Sequence, residues 1–166
     1  MTAAFPRAAA ACPSVDVLME SPLWAQVPDA ETLVCRAIAS AATREGSVEP
    51  ATEVAVLLCD DATIAALNAR WRGRDEPTNV LSFPAPDTND PAAPPHLGDI
   101  AIACETVLRE AGEQRRTVAQ HLSHLAVHGF LHLLGYDHAT NDEAEQMEQL
   151  EREILASLGI PDPYAT

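Results

Sequence analysis

Three histidines near the end of the chain constrain its fold more than any other feature. They lie in the segment HGFLHLLGYDH, which covers residues 128–138. His128 and His132 are four residues apart, so on a helix both imidazoles project from one face about one turn apart. Gly135 can end that helix in a left-handed or otherwise strained turn, which would bring His138 back over the same face. The segment therefore predicts a metal site on one helix and the turn after it.

The chemistry of three imidazoles indicates both the metal and the kind of site. Neutral imidazole is a preferred zinc ligand, and three protein ligands leave one coordination position open for water. An open position is typical of catalytic zinc sites and not of structural ones. We therefore predict a single zinc ion bound by His128, His132 and His138. His121 and His124 extend the same helix face, and we interpret them as buried residues or as partners of the ligands.

The same histidine spacing occurs in the metzincin proteases, which carry the pattern H-E-x-x-H followed by a glycine and a third histidine. The glutamate after the first histidine is the general base of those enzymes. In this chain that position is Gly129. Peptide hydrolysis is therefore not expected, and the sequence does not identify a general base.

The chain is strongly acidic, and all ten of its basic residues are arginine. Its formal net charge of −15 repels polyanions at long range, so a nucleic acid would have to bind through a local basic site. The densest basic cluster is the segment RWRGRD, which contains Arg70, Arg72 and Arg74. A guanidinium in such a cluster can neutralise the charge that develops on a phosphodiester in its transition state.

The order of the predicted elements indicates one domain over residues 1–166. Strands are expected at residues 14–20, 52–60, 78–83 and 98–103, and helices at 28–46, 62–71, 104–114, 117–134 and 142–158. These elements alternate without a regular βαβ rhythm, which favours an α+β fold. Residues 1–13 are expected to form a disordered tail, and the proline-rich residues 84–97 a long loop.

Cysteine spacing and hydropathy indicate the compartment. The chain has four irregularly spaced cysteines and no C-x-x-C pair, which is typical of free thiols in a reducing environment. The apolar runs are too short and too interrupted by charge to span a membrane. The N-terminal segment lacks the hydrophobic region of a signal peptide. We therefore expect a cytoplasmic protein without a membrane partner.

Three segments resemble the signatures of the YbeY family, the metal-dependent endoribonucleases of ribosomal RNA maturation and ribosome quality control. They are LNARWRGRDEPTNVLSFP at residues 67–84, HLGDIAIA at 96–103 and HLSHLAVHGFLHLLGYDH at 121–138. The acidic segment EAEQMEQLEREIL that follows is also similar. The resemblance covers about residues 50–160 and fades in the N-terminal tail and the proline-rich loop.

The resemblance implies a zincin-like α+β fold, in which a small mixed sheet of about four strands packs against helices. It implies that His128, His132 and His138 are the metal ligands and that Arg72 is the catalytic residue. With it we predict a single-strand-preferring endoribonuclease that acts on ribosomal RNA, with ribosomal small-subunit proteins as further partners. Zinc would lower the pKa of a bound water, polarise the phosphate, or do both.

Three further polar residues lie within the signatures, namely Ser82, Asp99 and Asp137. Asp99 could equally be a structural turn residue, and Asp137 could orient a ligand histidine. His96, in the loop, has no assigned role.

Two other functions stay open at this stage. The first is a ribosome-assembly factor that works mainly by binding, which the net charge of −15 favours. The second is a metallohydrolase that acts on another, small substrate.

Overall fold

The computed structural model describes residues 12–46, 48–49, 51–86, 91–92 and 95–165. The strands are β1 (Ser14–Met19), β2 (Glu53–Cys59), β3 (Val80–Pro84) and β4 (His96–Ala103). The helices are α1 (Ala30–Glu45), α2 (Asp61–Arg72), α3 (Cys104–Glu113), α4 (Val118–Leu133) and α5 (Asn141–Ser157), with a 3-10 helix at Pro22–Gln26. All predicted strands and helices are present, with ends that differ by one or two residues. The 3-10 helix is not predicted by the sequence pattern.

The four strands form one mixed sheet in the order β1-β2-β4-β3. β1, β2 and β4 are parallel, and β3 pairs antiparallel with β4 at the edge of the sheet. This arrangement confirms the predicted α+β fold with its small sheet of four strands. Because β3 is an edge strand, one of its sides is left for contacts with helices and ligands.

Helix α4 lies at the centre of the packing. It contacts α1, α3 and α5 as well as β3 and β4. Its side chains Leu122, Ala126, Phe130 and Leu131 are fully buried in a core that is mainly aliphatic. Burying an aliphatic or aromatic side chain of this size contributes about 1.5–3 kcal/mol. The sheet and three helices therefore hold α4 in one position, and with it the residues on its remaining face.

β4 contains one residue more than β2 at its start. Glu53 pairs with His96 and Val54 pairs with Gly98, so Leu97 is the extra residue of a β-bulge. Gly98 has a φ of 149°, and a Cβ there would lie 2.4 Å from the carbonyl oxygen of Phe83 on β3. Glycine at this position therefore allows β3 and β4 to approach each other past the bulge.

The remaining sequence expectations concern the N-terminal tail, the proline-rich loop, membrane-spanning helices and the cysteines. Residues 1–11 of the predicted tail and residues 87–90 and 93–94 of the predicted loop lie outside the described residues, while Pro13 is buried just before β1. Within the described residues, no helix is long and apolar enough to cross a membrane. Free thiols are found at Cys35, Cys59 and Cys104.

We predict that Gly98→Ala destabilises the fold by about 2–4 kcal/mol, because the new Cβ combines an unfavourable φ with a clash against backbone. Chemical denaturation of the purified variant measures this loss. Gly112→Ala is the matched control, since a Cβ at Gly112 in α3 has nothing within 4 Å. That control is expected to leave stability unchanged or raise it by up to about 1 kcal/mol. Equal stabilities of Gly98→Ala and Gly112→Ala would contradict the conclusion that the close approach of β3 and β4 depends on glycine at position 98.

Candidate metal centre

Helix α4 ends in a Schellman turn at Gly135. The Gly135 N–H donates to the carbonyl of His132 at 3.0 Å, and the Tyr136 N–H donates to the carbonyl of Leu131 at 3.1 Å. Gly135 has a φ of 101°, a conformation that a side chain would disfavour. The predicted left-handed or strained exit from the helix is therefore present, and it returns the chain over the histidine face.

This turn brings His138 beside His128 and His132. One ligand nitrogen from each of the three rings lies within 4.8 Å of the others. The Nε2 atoms of His128 and His132 are 3.1 Å apart. Two nitrogens bound to one tetrahedral zinc ion would be about 3.3 Å apart, so the spacing is that of a ligand pair. The side chain of His128 is 21% exposed and that of His138 is 56% exposed, so the cluster opens to solvent on the His138 side.

His128 and His132, the two cluster histidines on α4, each use Nδ1 in a hydrogen bond. Their Nε2 atoms are therefore free to bind a cation. His128 Nδ1 donates to Glu151 Oε1 at 2.5 Å, and His132 Nδ1 donates to the carbonyl of Tyr136 at 2.9 Å. A carboxylate and a carbonyl only accept, so each Nδ1 carries the proton and each Nε2 of the neutral ring carries the lone pair. Burial, together with the nearby His128, lowers the pKa of His132 and favours its neutral form. This donor set fits a transition-metal ion such as zinc.

Glu151 of α5 is the functional residue that the sequence analysis misses. Its side chain is fully buried and accepts hydrogen bonds from His128, from His124 Nε2 at 3.1 Å and from the hydroxyl of Tyr164. Burial by itself would raise the pKa of Glu151, but these hydrogen bonds outweigh it and lower the pKa to about 2. The carboxylate is therefore ionised at neutral pH and fixes the orientation of the His128 ring.

One sequence signal could have revealed Glu151. It lies on the buried face of α5, four residues after Met147 and close before Ile154 and Leu155, and all three of these neighbours are buried. A carboxylate inside an apolar helix face requires hydrogen-bond or charge partners, because an unpaired buried charge is strongly unfavourable. The histidines of α4 are such partners.

His121 and His124 are mostly buried and lie outside the three-histidine cluster. His121 Nε2 contacts Glu110 at 3.0 Å, whereas His124 supports Glu151. The Nδ1 atoms of both rings are buried and lack a hydrogen-bond partner among the described residues. Their positions agree with the interpretation that they are buried partners and not members of the cluster.

Arg72, the last residue of α2, lines the same cleft as the three histidines. The cleft has a volume of about 580 Å³, and β3 forms one of its walls. Arg72 Nη2 donates to the carbonyl of Ser82 at 2.7 Å, and the guanidinium lies 5.4 Å from the ring centre of Phe83. The predicted catalytic arginine and the predicted metal ligands, about sixty residues apart in sequence, are thus together, whereas Arg70 and Arg74 do not line this cleft.

Gly129 explains why the protease glutamate has no counterpart here. Its carbonyl accepts a hydrogen bond from Ser82 Oγ at 2.9 Å, so α4 lies directly against β3. A Cβ on Gly129 would lie 3.0 Å from Ile100 Cγ2 and 3.2 Å from Ser82 Oγ. A side chain at this position would therefore require Ile100, Ser82 and Val80 to move, so glycine suits the close packing of α4 on the sheet.

The remaining polar residues of the signatures have local roles. Asp137 Oδ1 accepts the backbone N–H of His138 at 2.7 Å, which stabilises the chain as it leaves the turn. Asp99 contacts His96 Nε2 at 3.2 Å on the exposed surface of β4. Of these residues, Asp137 lines the cleft, and Asp99 and His96 do not.

The chain is similar to known proteins over most of its length. An Endoribonuclease YbeY of Nitrobacter winogradskyi is 56% identical over 159 residues, which cover 93% of this chain and 84% of that protein. An Endoribonuclease YbeY of Bradyrhizobium sp. (strain BTAi1) is 55% identical over 157 residues, which cover 92% and 93% respectively. A solution structure of TM1509 from Thermotoga maritima is 25% identical in sequence, the match covers 92% of this chain and 99% of that chain, and the TM-score is 0.47. The family model described as Endoribonuclease YbeY matches residues 24–159, and the chain therefore belongs to the YbeY endoribonuclease family.

Proposed function

We propose that this endoribonuclease cuts single-stranded ribosomal RNA, in ribosomal RNA maturation and ribosome quality control in the cytoplasm. Residues 1–166 would act as one metallohydrolase domain, with one zinc ion bound by His128, His132 and His138 and with ribosomal small-subunit proteins as further partners. The observation that carries the proposal is that three imidazoles and one fixed guanidinium line a single cleft. A phosphodiester needs both a Lewis acid and a charge-neutralising donor, and this cleft offers a place for each.

The roles of the chain's own residues follow from their contacts. Zinc, when bound, would lower the pKa of a water and polarise a phosphate oxygen. Arg72 would bind phosphate oxygens, since one Nη2 N–H is used on Ser82 and its other N–H groups stay available. Glu151 orients the ring of His128, and the carbonyl of Tyr136 orients the ring of His132.

We predict that His132→Ala removes both the bound metal and the RNA cleavage of the purified protein, because two remaining imidazoles rarely hold zinc. Elemental analysis gives the metal content, and gel analysis of single-stranded and duplex ribosomal RNA fragments gives the activity. Wild-type protein should cut the single strand, lose activity with a chelator and regain it with metal.

Two controls make that experiment decisive. His96→Ala removes a histidine that lies outside the cluster and should keep the bound metal. The His132→Ala protein, purified in parallel, also reports any contaminating nuclease. Metal retained in His132→Ala would contradict the ligand assignment, and the absence of cleavage by metal-loaded wild type would favour a protein that works by binding.

We predict that Glu151→Gln weakens metal affinity by about 10- to 100-fold, because the amide is a weaker acceptor for His128 than the carboxylate. Competition with a chromophoric chelator measures the affinity, and thermal denaturation checks the fold. Glu145→Gln, at an exposed position of the same helix, is the matched control and should bind metal as wild type does. Unchanged affinity in a folded Glu151→Gln protein would remove Glu151 from the site.

We predict that Arg72→Lys is nearly as damaging as Arg72→Ala, with cleavage at saturating RNA reduced by about 10²–10³ and the metal retained in both. Lysine keeps the charge but cannot grip two phosphate oxygens in one plane. Arg109→Ala, on the exposed surface of α3, controls for the loss of one positive charge. Near wild-type cleavage by Arg72→Lys would show that charge alone matters, and metal loss in either variant would assign Arg72 a structural role.

A further inference from the structure

A second groove lies on the face of the sheet opposite α4. α1 and α4 pack against Val56 and Ile102, whereas among the described residues α2 covers part of the other face. The open part forms a groove of about 800 Å³ whose walls are mainly apolar, with Leu18, Leu57, Leu67, Trp71 and Phe83 among its lining residues. The side chains of Leu18 and Trp71 are 62% and 57% exposed. An exposed surface of this composition is a candidate for ligand binding.

The groove adjoins the metal cleft, and two arginines lie beside it. Arg72 lines both, so a ligand can contact this guanidinium from either side. Arg70 lies 5.0 Å from the ring centre of Trp71. In the described part of the chain, no ion pair joins Arg70, Arg72 or Arg74 to a carboxylate. These arginines are cations without acidic partners in a chain of net charge −15, and they lie beside an aromatic surface. This arrangement indicates a ligand that is anionic at one end and apolar at the other.

We propose that this groove binds an unpaired nucleobase, stacked against Trp71, from the RNA strand whose phosphate contacts Arg72. The inference rests on the proposed function and extends it to a base-binding subsite. Stacking on an exposed indole tolerates any base, because every base presents an aromatic face. A base within a duplex is already paired and stacked, so this subsite also provides a physical reason for a preference for single strands.

The charges within the groove distinguish a base from other occupants. Asp16 and Asp99 line it together with the apolar residues. Carboxylates there repel a phosphate but can accept hydrogen bonds from the exocyclic amino group of a base. They also repel a second copy of this chain, which is itself strongly acidic. The groove therefore suits the base, while the arginines at its edge suit the phosphate.

The fluorescence of Trp71 can be used to measure binding in the groove. The only other tryptophan of the sequence, Trp24, is buried, so quenching by a ligand at the surface reports on Trp71. Metal-loaded wild-type protein is titrated with a short single-stranded 2′-O-methyl RNA, and gels confirm that the strand stays intact. We expect the RNA to quench the fluorescence of wild type. The affinity for RNA should be lower in Trp71→Ala by a factor of about 5 to 150, which is the range for loss of one base–aromatic stack. Trp71→Phe should retain most of the affinity, and Leu23→Ala, an exposed apolar residue outside the groove, should retain all of it.

An abasic strand of the same length separates the base from the phosphates. We expect wild type to bind it as weakly as Trp71→Ala binds the normal strand, with no further loss when Trp71 is replaced. Equal affinity of wild type and Trp71→Ala for the normal strand would overturn the proposal, as would self-association of wild type that Trp71→Ala abolishes. Cleavage of RNA by wild type with no effect of Trp71 would reject this inference alone, whereas no cleavage at all would reject the proposed function.

Discussion

Ser82 of β3 joins the two halves of the site through its two oxygen atoms. Its Oγ donates to the carbonyl of Gly129 on α4 at 2.9 Å, and its own carbonyl accepts from Arg72 at the end of α2 at 2.7 Å. Gly129 suits this close approach of the helix to the edge strand, because a Cβ there would lie only 3.2 Å from Ser82 Oγ. The histidines before and after Gly129 in the chain are thereby held next to a guanidinium that is fixed from the other side of the same residue.

A buried carboxylate extends this arrangement to the end of the chain. Glu151 has no contact with water, so its charge is stable only because His124, His128 and Tyr164 all donate to it. The C-terminal segment, which carries Tyr164, therefore contributes to the position of a histidine on α4. The negative charge of Glu151 contacts His128 at Nδ1, away from the Nε2 side that faces the cleft, so it adds little repulsion toward a phosphate there.

The parts of the site that the sequence predicts are those encoded in one short segment. His128, His132, Gly135 and His138 follow from helical spacing and from the conformational freedom of glycine, and the structure brings the three rings together. Arg72 could be chosen because the basic cluster and the family resemblance point to the same residue. Both predictions use residues that are close together in sequence, so neither requires knowledge of the tertiary packing.

The parts that the sequence does not predict depend on contacts between distant elements. The hydrogen-bond partners of Glu151 and the double role of Ser82 become visible only when α5 and β3 are packed against α4. The bulge at Leu97 likewise depends on the pairing of β4 with β2, and so the predicted start of β4 was two residues late. The open groove beside Trp71 exists because α2 covers only part of that face of the sheet in the described residues, which no periodicity in the sequence reveals.

Three imidazoles are expected to hold one metal ion and to leave one coordination position open for water. X-ray absorption at the zinc edge of the metal-loaded protein tests it most directly, because the spectrum reports the number and type of ligands. We expect three imidazole nitrogens and one oxygen, all at about 2.0–2.1 Å from the zinc ion. A sulfur ligand at about 2.3 Å, or a fourth imidazole that closes the coordination shell, would contradict it.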